Sequence, residues 1–588
     1  MIESEPPSRP VIYQLLVRTF GNTKSNLKPG GTLAENGCGK FHDINDAALM
    51  SIREMGFNVI WLTGVLEQAS GTAYPGRPAD PPEILKGLAG SPYAIRDYFD
   101  VCPDYAEEPE NRLAEFRELL ARCRRHGLRT MIDFIPNHVA RSYASDVRPE
   151  LSFGEGDRRD VFFDRDNHFY YLNESHPGGG PPLKLPTGLF APETEFGRVT
   201  GNNSVTWSPT INEWYETVKL NYGHDFTTGR KTSHLSRSED VPHTWLTMDA
   251  IIAYWQEMGV NGFRCDMAHM VPMEFWGWMV KRARARDAGV LFIAEAYDGD
   301  PAKLTDADVL DELLKAGFNG AYEHPTYKIL QGIYESGKWA NDIDDETFGG
   351  ERFHHCVRYI ENHDEVRVAN PQRWGGVGMH AGKPAAAVMY GMSRAAIMLY
   401  SGQEIGEPAI GSEGFSGDDG RTSIFDYTAM PEFQKWFNGG KCDGAKLSAE
   451  QKSLRKWYGD LLAILREPAF AAGDFYGLNH ANKQNPAFGR LGGETCSGHW
   501  LYAFLRRDPA SGQAFLCLAN FHPTATLADT RVVIPEDALV WLGKGAKISF
   551  EGKMFGRAKG NANANELATV GFSIGDLEPL GIRYYALI

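Results

Sequence analysis

The sequence predicts an α/β protein: a parallel (β/α)8 TIM barrel, a subdomain inserted after its third strand, and a C-terminal antiparallel β-sandwich. Three observations predict it. Short apolar runs with strand character alternate with segments of helical spacing. The alternation breaks between residues 140 and 244 and then resumes. Beyond residue 468 the chain turns to short strands and turns alone.

Residues 11–20 read as the first strand and 57–62 (FNVIWL) as the second. Between them Ile44, Ala47, Ala48, Ile52 and Met55 fall on one helical face, and Gly56 ends the run. A second helix over 111–126 stops at Gly127, before the third strand at 129–135. Residues 140–244 are rich in Gly, Pro, Asn, Asp and aromatics without a sustained helical period, and include a Gly-Pro turn at 178–182. Such a stretch is too long for a loop and reads as an inserted subdomain. Next come a helix at 248–258, a strand at 262–266, a helix at 273–285 and a strand at 290–295. A weaker strand near 317–322 leads to a strand at 356–361, a helix at 385–392 and a strand at 395–400. Eight strands suffice to close a barrel. A helix at 450–466 precedes HWLYAFLRR, AFLCLANF, RVVIP and GIRYYALI, the strands of the sandwich. The expected division is barrel 1–139 and 245–467, insertion 140–244, and β domain 468–588.

Composition narrows the function. A net charge of −16 repels a phosphate backbone, so nucleic acid is not an expected partner. No apolar run reaches the length of a membrane span. The acidic, Pro-rich start lacks a basic region followed by an apolar one, so no signal peptide is expected. The 8 cysteines are scattered, with no metal-ligand spacing. Free thiols in a cytoplasmic protein are the expectation.

Four segments carry the chemistry: MIDFIPNHV (131–139), GFRCDMAHM (262–270), LFIAEAYD (291–298) and VRYIENHDEVR (357–367). Each is an apolar run with acids, amides or histidines where it stops, as catalytic groups sit on a parallel barrel. Breaking a glycosidic bond with retention needs two carboxyl groups about 5–5.5 Å apart. Asp266 and Glu295 end neighbouring strands, which lie about 4.8 Å apart. A strand-end Asp can also simply cap the next helix. Arg264 points to the same side of its strand as Asp266 and should keep it ionised. Glu295 follows Phe292, Ile293 and Ala294, surroundings that should raise its pKa toward that of a general acid. Cys265, between Arg264 and Asp266, is expected to pack in the barrel wall.

DFIPNH, GFRCD, IAEAY and ENHDE, in that order along the chain, resemble the α-amylase family of retaining glycoside hydrolases. IYQLLVRTF, GFNVIWLTGV and LYSGQEIG extend the resemblance to almost the whole chain. It implies that Asp266 is the nucleophile, Glu295 the general acid/base, and Asp364 the holder of two hydroxyls of the reacting sugar. It further implies that Arg264 orients Asp266, that His138 and His363 bond the same sugar, and that Asp133 supports the network. Tyr93 matches the family's stacking tyrosine, although Pro92-Tyr93-Ala94 stands where Gly-Tyr-Asp is usual. Where a Lys-His pair often follows the nucleophile, this chain has His269-Met270. That puts the usual acceptor contacts and calcium site in doubt. Asn137 matches a calcium ligand and Asp225 is the candidate second one, but a hard cation needs about six oxygens, and the balance is against calcium. No cofactor is required for the chemistry. The implied substrate is an α-1,4-glucan or maltooligosaccharide. The alternatives are a transglycosylase or sugar isomerase of the same family, or a barrel kept as a binding module, against which the three acids argue.

Overall fold

The computed structural model describes residues 9–173, 182–193, 195–237, 240–411, 417–556 and 559–588. The expected turn at 178–182 lies, save for its last residue, outside them.

Eight parallel strands close a barrel in chain order: β1 (Val11–Leu16), β2 (Val59–Thr63), β3 (Arg129–Phe134), β4 (Gly262–Cys265), β5 (Leu291–Ala294), β6 (Gly320–Tyr322), β7 (Cys356–Arg358) and β8 (Ala396–Tyr400). β8 returns to β1 with Val11 opposite Ile397. Strands of such a sheet are covered on both faces, which is why β2, VIWLT, is buried at every position.

The crossover helices are α1 (Asp46–Met55), α2 (Arg112–Arg125), α3 (His243–Met258), α4 (Met273–Arg286), α5 (Val309–Ala316), α6 (His324–Glu335) and α7 (Gly382–Gly391). α8 (Ala449–Ile464) follows the barrel. Local chemistry sets their ends. The Asn45 side chain accepts from Ala48 N at 3.0 Å to start α1, and Gly56, at φ 117°, ends it. Ser448 and Gln451 form a capping box on α8.

Some boundaries differ from expectation. β1 stops at Leu16 rather than running to residue 20, and Val17–Phe20 forms a helical turn. Buried Arg18 bonds the Ile424 carbonyl at 2.6 Å, and Phe20 packs on Phe433 and Trp436, which turns the chain across the barrel end. α3 begins at His243 rather than at residue 248, directly behind Pro242. β7 ends at Arg358 rather than at residue 361, and β6 keeps only three residues.

Beyond β3, His138–Ala140 pairs antiparallel with Thr217–Lys219, with Lys219 opposite His138. The insertion therefore ends against the mouth of the barrel. In the C-terminal domain the strands are β9 (Asp474–Gly477), β10 (Leu501–Arg507), β11 (Ala514–Asn520), β12 (Leu527–Val532), β13 (Lys547–Met554), β14 (Lys559–Asn563), β15 (Phe572–Leu577) and β16 (Ile582–Leu587). Six form an antiparallel sheet in the order β9-β10-β11-β16-β13-β14, and β12 pairs with β15 as a second layer. Side chains alternate across the sheet. Leu501, Leu505, Leu516 and Leu518 face the second layer. Tyr502, Phe504, Phe515 and Tyr584 join the barrel's own core.

Candidate active site

The acids sit where the strands end, yet remain in the ladder. Asp266 N donates to Phe134 O at 2.9 Å, and Glu295 N donates to Cys265 O at 2.9 Å. Sites built on such elements are held more firmly than sites on loops. A cavity of about 230 Å³ opens there, lined by Tyr93, His138, Asp266, Glu295 and Asp364. Trp214, Met267, Tyr297 and Phe425 complete its apolar wall.

Arg264 organises the acids. It is fully buried in β4, and its Nη1 lies 2.6 Å from Asp266 Oδ1 and 3.6 Å from Asp133 Oδ1. Its Nη2 lies 3.0 Å from Glu295 Oε2 and 4.0 Å from Asp364 Oδ2. Its Nε donates to Tyr322 Oη at 3.2 Å. One guanidinium thus serves four carboxyl groups, so they cannot all ionise at low cost. Burial, and then the Glu295 charge, push the Asp266 carboxyl well above the ordinary range, against the pull of Arg264. This corrects the expectation that Arg264 simply keeps Asp266 ionised: its charge is divided, and Glu295 is close enough to hydrogen-bond Asp266. Burial also raises Asp364, but His363 and then Arg264 outweigh it and hold it low.

The supporting contacts come from distant segments. Tyr297 Oη donates to Glu295 Oε1 at 3.2 Å. Met267 N donates to Glu295 Oε2 at 3.1 Å, from a residue held at φ 44°, a left-handed conformation that strains any residue bearing a side chain. Gln14 Nε2 donates to His363 Nδ1 at 2.8 Å, which leaves the ring proton on Nε2. That nitrogen faces Asp364 Oδ2 at 3.0 Å and the Tyr93 hydroxyl. The Tyr93 ring stacks on His363 with centroids 5.3 Å apart. Asp133 accepts from Trp61 Nε1 at 3.1 Å and Gly64 N at 2.9 Å. All eight residues expected at the site therefore meet in one network or line its cavity. Cys265 is buried, its Sγ near its own strand's Phe263 carbonyl.

Sequence reasoning missed Gln14, Tyr297 and Tyr322, which carry no motif of their own beyond an aromatic in IAEAYD. It also missed Lys86, whose Nζ lies 2.8 Å from Glu216 Oε1 and 5.7 Å from the Phe425 ring centroid. That pair ties the loop after β2 to the insertion. His269 and Met270 do not line the cavity; His269 is buried with Nε2 3.1 Å from Asp300 Oδ2.

The residues present do not fit a calcium ion. Asn137 Oδ1, the expected ligand, accepts from Lys219 Nζ at 2.7 Å, and Asn137 Nδ2 donates to Gly201 O at 2.6 Å. Lys219 is buried, and burial pushes its pKa down to about 7. Asp225 caps a turn instead, accepting from Thr227 N at 3.0 Å. No cluster of three or more His, Cys, Asp or Glu suited to a metal occurs among the described residues. Asn137 serves His138, whose Nδ1 lies 3.1 Å from its Nδ2. Burial and then Lys219 drive the His138 ring down to about 3, so it is neutral near pH 7.

The alpha amylase catalytic-domain model matches residues 14–420, and the chain belongs to this family. It is 23% identical over 402 residues to alpha-amylase MalA of Haloarcula japonica, covering 68% of this chain and 44% of that one. It is 25% identical over 250 residues to an alpha-1,4-glucan:maltose-1-phosphate maltosyltransferase of Cereibacter sphaeroides, covering 42% of this chain and 33% of that one. The matched stretches thus span less than half the length of these curated relatives. Among solved structures, alpha-amylase of Geobacillus thermoleovorans complexed with acarbose superposes with a TM-score of 0.59 at 16% identity, covering 98% of both chains. A cyclic alpha-maltosyl-(1→6)-maltose hydrolase of Arthrobacter globiformis gives 0.58 at 16% identity, again over 98% of both. These likenesses concern the fold.

Proposed function

We propose that the chain hydrolyses α-1,4-glucosidic bonds of maltodextrins, starch or glycogen by double displacement. The observation that carries this reading is the pair Asp266 and Glu295, held on one guanidinium and close enough to share a hydrogen bond. Retaining enzymes keep their carboxyl groups near; inverting ones separate them by about 6.5–9.5 Å to admit a water. Asp266 attacks the anomeric carbon, and Glu295 gives its proton to the leaving oxygen. Glu295 then takes a proton from the water that attacks the glycosyl-enzyme, and Asp266 leaves. Asp364, held in place by the buried His363 ring, binds hydroxyls of the reacting sugar, and neutral His138 lines the same cavity.

The second reading keeps the first half of the reaction and passes the glycosyl group to a sugar. It is favoured by the maltosyltransferase named among the relatives. Chromatography of the products from maltotetraose decides between them. Glucose and shorter maltooligosaccharides support hydrolysis; products longer than the substrate, or an isomerised disaccharide, overturn it in favour of transfer.

A further inference from the structure

The opposite end of the barrel carries a feature that glycosidic chemistry does not use. A cavity of about 540 Å³ lies at the N-terminal ends of β1, β2, β3 and β8, lined by Arg9, Arg53, Arg129 and Arg466 together with Asn58. No carboxylate is among its lining residues. Among the described residues, none of the four arginines has a carboxylate within ion-pair distance, although the chain as a whole carries −16.

Each arginine has a separate origin and incomplete partners. Arg53 leaves the last turn of α1 and donates to Phe57 O at 3.0 Å. Arg466 follows α8 and lies over Gly56, where even a Cβ would fall 2.6 Å from its Nη2. Arg129 opens β3 and donates to the Asn261 and Gly289 carbonyls. Arg9 precedes β1 and donates to the Ala395, Tyr390 and Ser393 carbonyls, while its buried Nη1 has no partner. Basic side chains at helix C-termini complement the helix dipole, which accounts for Arg53 and Arg466. It does not account for Arg129, which lines the same cavity, whereas the Arg9 guanidinium is turned inward onto its three carbonyls. Carbonyls satisfy donors without neutralising charge. Burial above all, and then Arg506 and Arg358 on the side away from the cavity, push the Arg9 guanidinium down to about 9.

We propose that this cavity is a second ligand site that binds a phosphate group, free or carried on a small molecule. Planar guanidiniums match phosphate oxygens in pairs, and Arg53, Arg129 and Arg466, with no carboxylate in ion-pair contact, suit a dianion. The site is remote from the acids and independent of the reaction they perform.

Calorimetric titration of the full chain tests this, with inorganic phosphate, pyrophosphate and glucose 1-phosphate as probes and chloride at matched ionic strength as control. Saturable binding of at least one phosphate probe is expected, without a chloride response. Phosphate alone binding as well as glucose 1-phosphate identifies the free ion; tighter binding of glucose 1-phosphate identifies a sugar phosphate. The exposed residues allow a clean variant: Arg53→Ala with Arg466→Ala should weaken binding about tenfold or more, because a hydrogen bond to a charged group contributes about 1.5–3 kcal/mol. Maltooligosaccharide turnover should stay unchanged, and Arg466→Lys should keep part of the affinity. Absence of saturable binding at millimolar probe, an equal response to chloride, or full affinity in the double variant overturns the proposal.

Discussion

At the scale of single residues, the site is a problem of charge division. Arg264 has one positive charge to offer to Asp133, Asp266, Glu295 and Asp364. Asp266 therefore retains a proton more readily than an isolated aspartate would, through burial and then the Glu295 charge. Asp266→Asn should lower kcat on a maltooligosaccharide by about 10³-fold or more, since it removes the proposed nucleophile. Glu295→Gln should cost about 10²–10⁴-fold on the same substrate. It should cost much less on an aryl α-glucoside whose leaving group needs no proton. The same variant tests the electrostatics. The Asp266 pKa is raised partly by the Glu295 charge, so removing that charge lowers it. The acid limb of kcat/KM for the aryl glucoside should move to lower pH in Glu295→Gln. An unmoved limb contradicts the coupling. Tyr297→Phe deletes a hydrogen bond to Glu295, and steady-state kinetics should record a kcat loss of about 5–10-fold for roughly 1 kcal/mol.

At the scale of elements, strand ends place acids and the insertion trims the mouth around them. The pairing of Thr217–Lys219 with His138–Ala140 brings the Lys219 amino group to Asn137 and so to His138. Lys219 takes the oxygen a calcium ion would need, so a chelator should leave activity and melting temperature unchanged. Lys219→Met should raise KM more than it lowers kcat, because it frees Asn137 and the His138 ring proposed to bind sugar. The folded pKa of Lys219, about 7, lies below the ordinary lysine value of about 10.4. Between them the unfolded chain binds more protons, so this residue favours the fold increasingly as pH rises from about 7 to about 10. Urea unfolding across that range should show the trend in the parent and lose it in Lys219→Met.

This is also where the sequence was and was not legible. Asp266, Glu295, Arg264, Asp364 and His363 announce themselves because each closes an apolar run within a few residues. The strand alternation similarly reveals all eight barrel strands. Gln14 and Lys219 do not: their partners lie 349 and 82 residues away in the chain. Pairing of that kind exists only once the barrel closes and the insertion folds back. The end of β1 was illegible for the same reason, since Val17–Phe20 reads as strand until Arg18 finds the Ile424 carbonyl.

At the scale of the whole molecule, barrel and C-terminal sheet share one apolar core, through Tyr502, Phe504, Phe515 and Tyr584. Polar bonds cross the same seam. Tyr584 Oη donates to Ala387 O of α7 at 2.6 Å. Buried Arg506 donates across it to the Met392 carbonyl, and within the C-terminal domain to the carbonyls of Ala469, Phe470 and Gly473. Arg506→Met should leave these acceptors buried and unpaired. A loss of about 2–4 kcal/mol is expected in denaturant unfolding, with the kinetics of the surviving folded enzyme unchanged. A chain ended after residue 472 should be insoluble, because it exposes the apolar face that the sheet covers.

The central claim is that Asp266 becomes covalently bonded to the sugar. Intact-protein and peptide mass spectrometry after incubation with a 5-fluoro-α-glucosyl fluoride tests it most directly. The account predicts one fluoroglucosyl group per chain, on the peptide that contains Asp266. An adduct on any other residue, or no adduct while the first product of a natural substrate is released as the β-anomer, contradicts it.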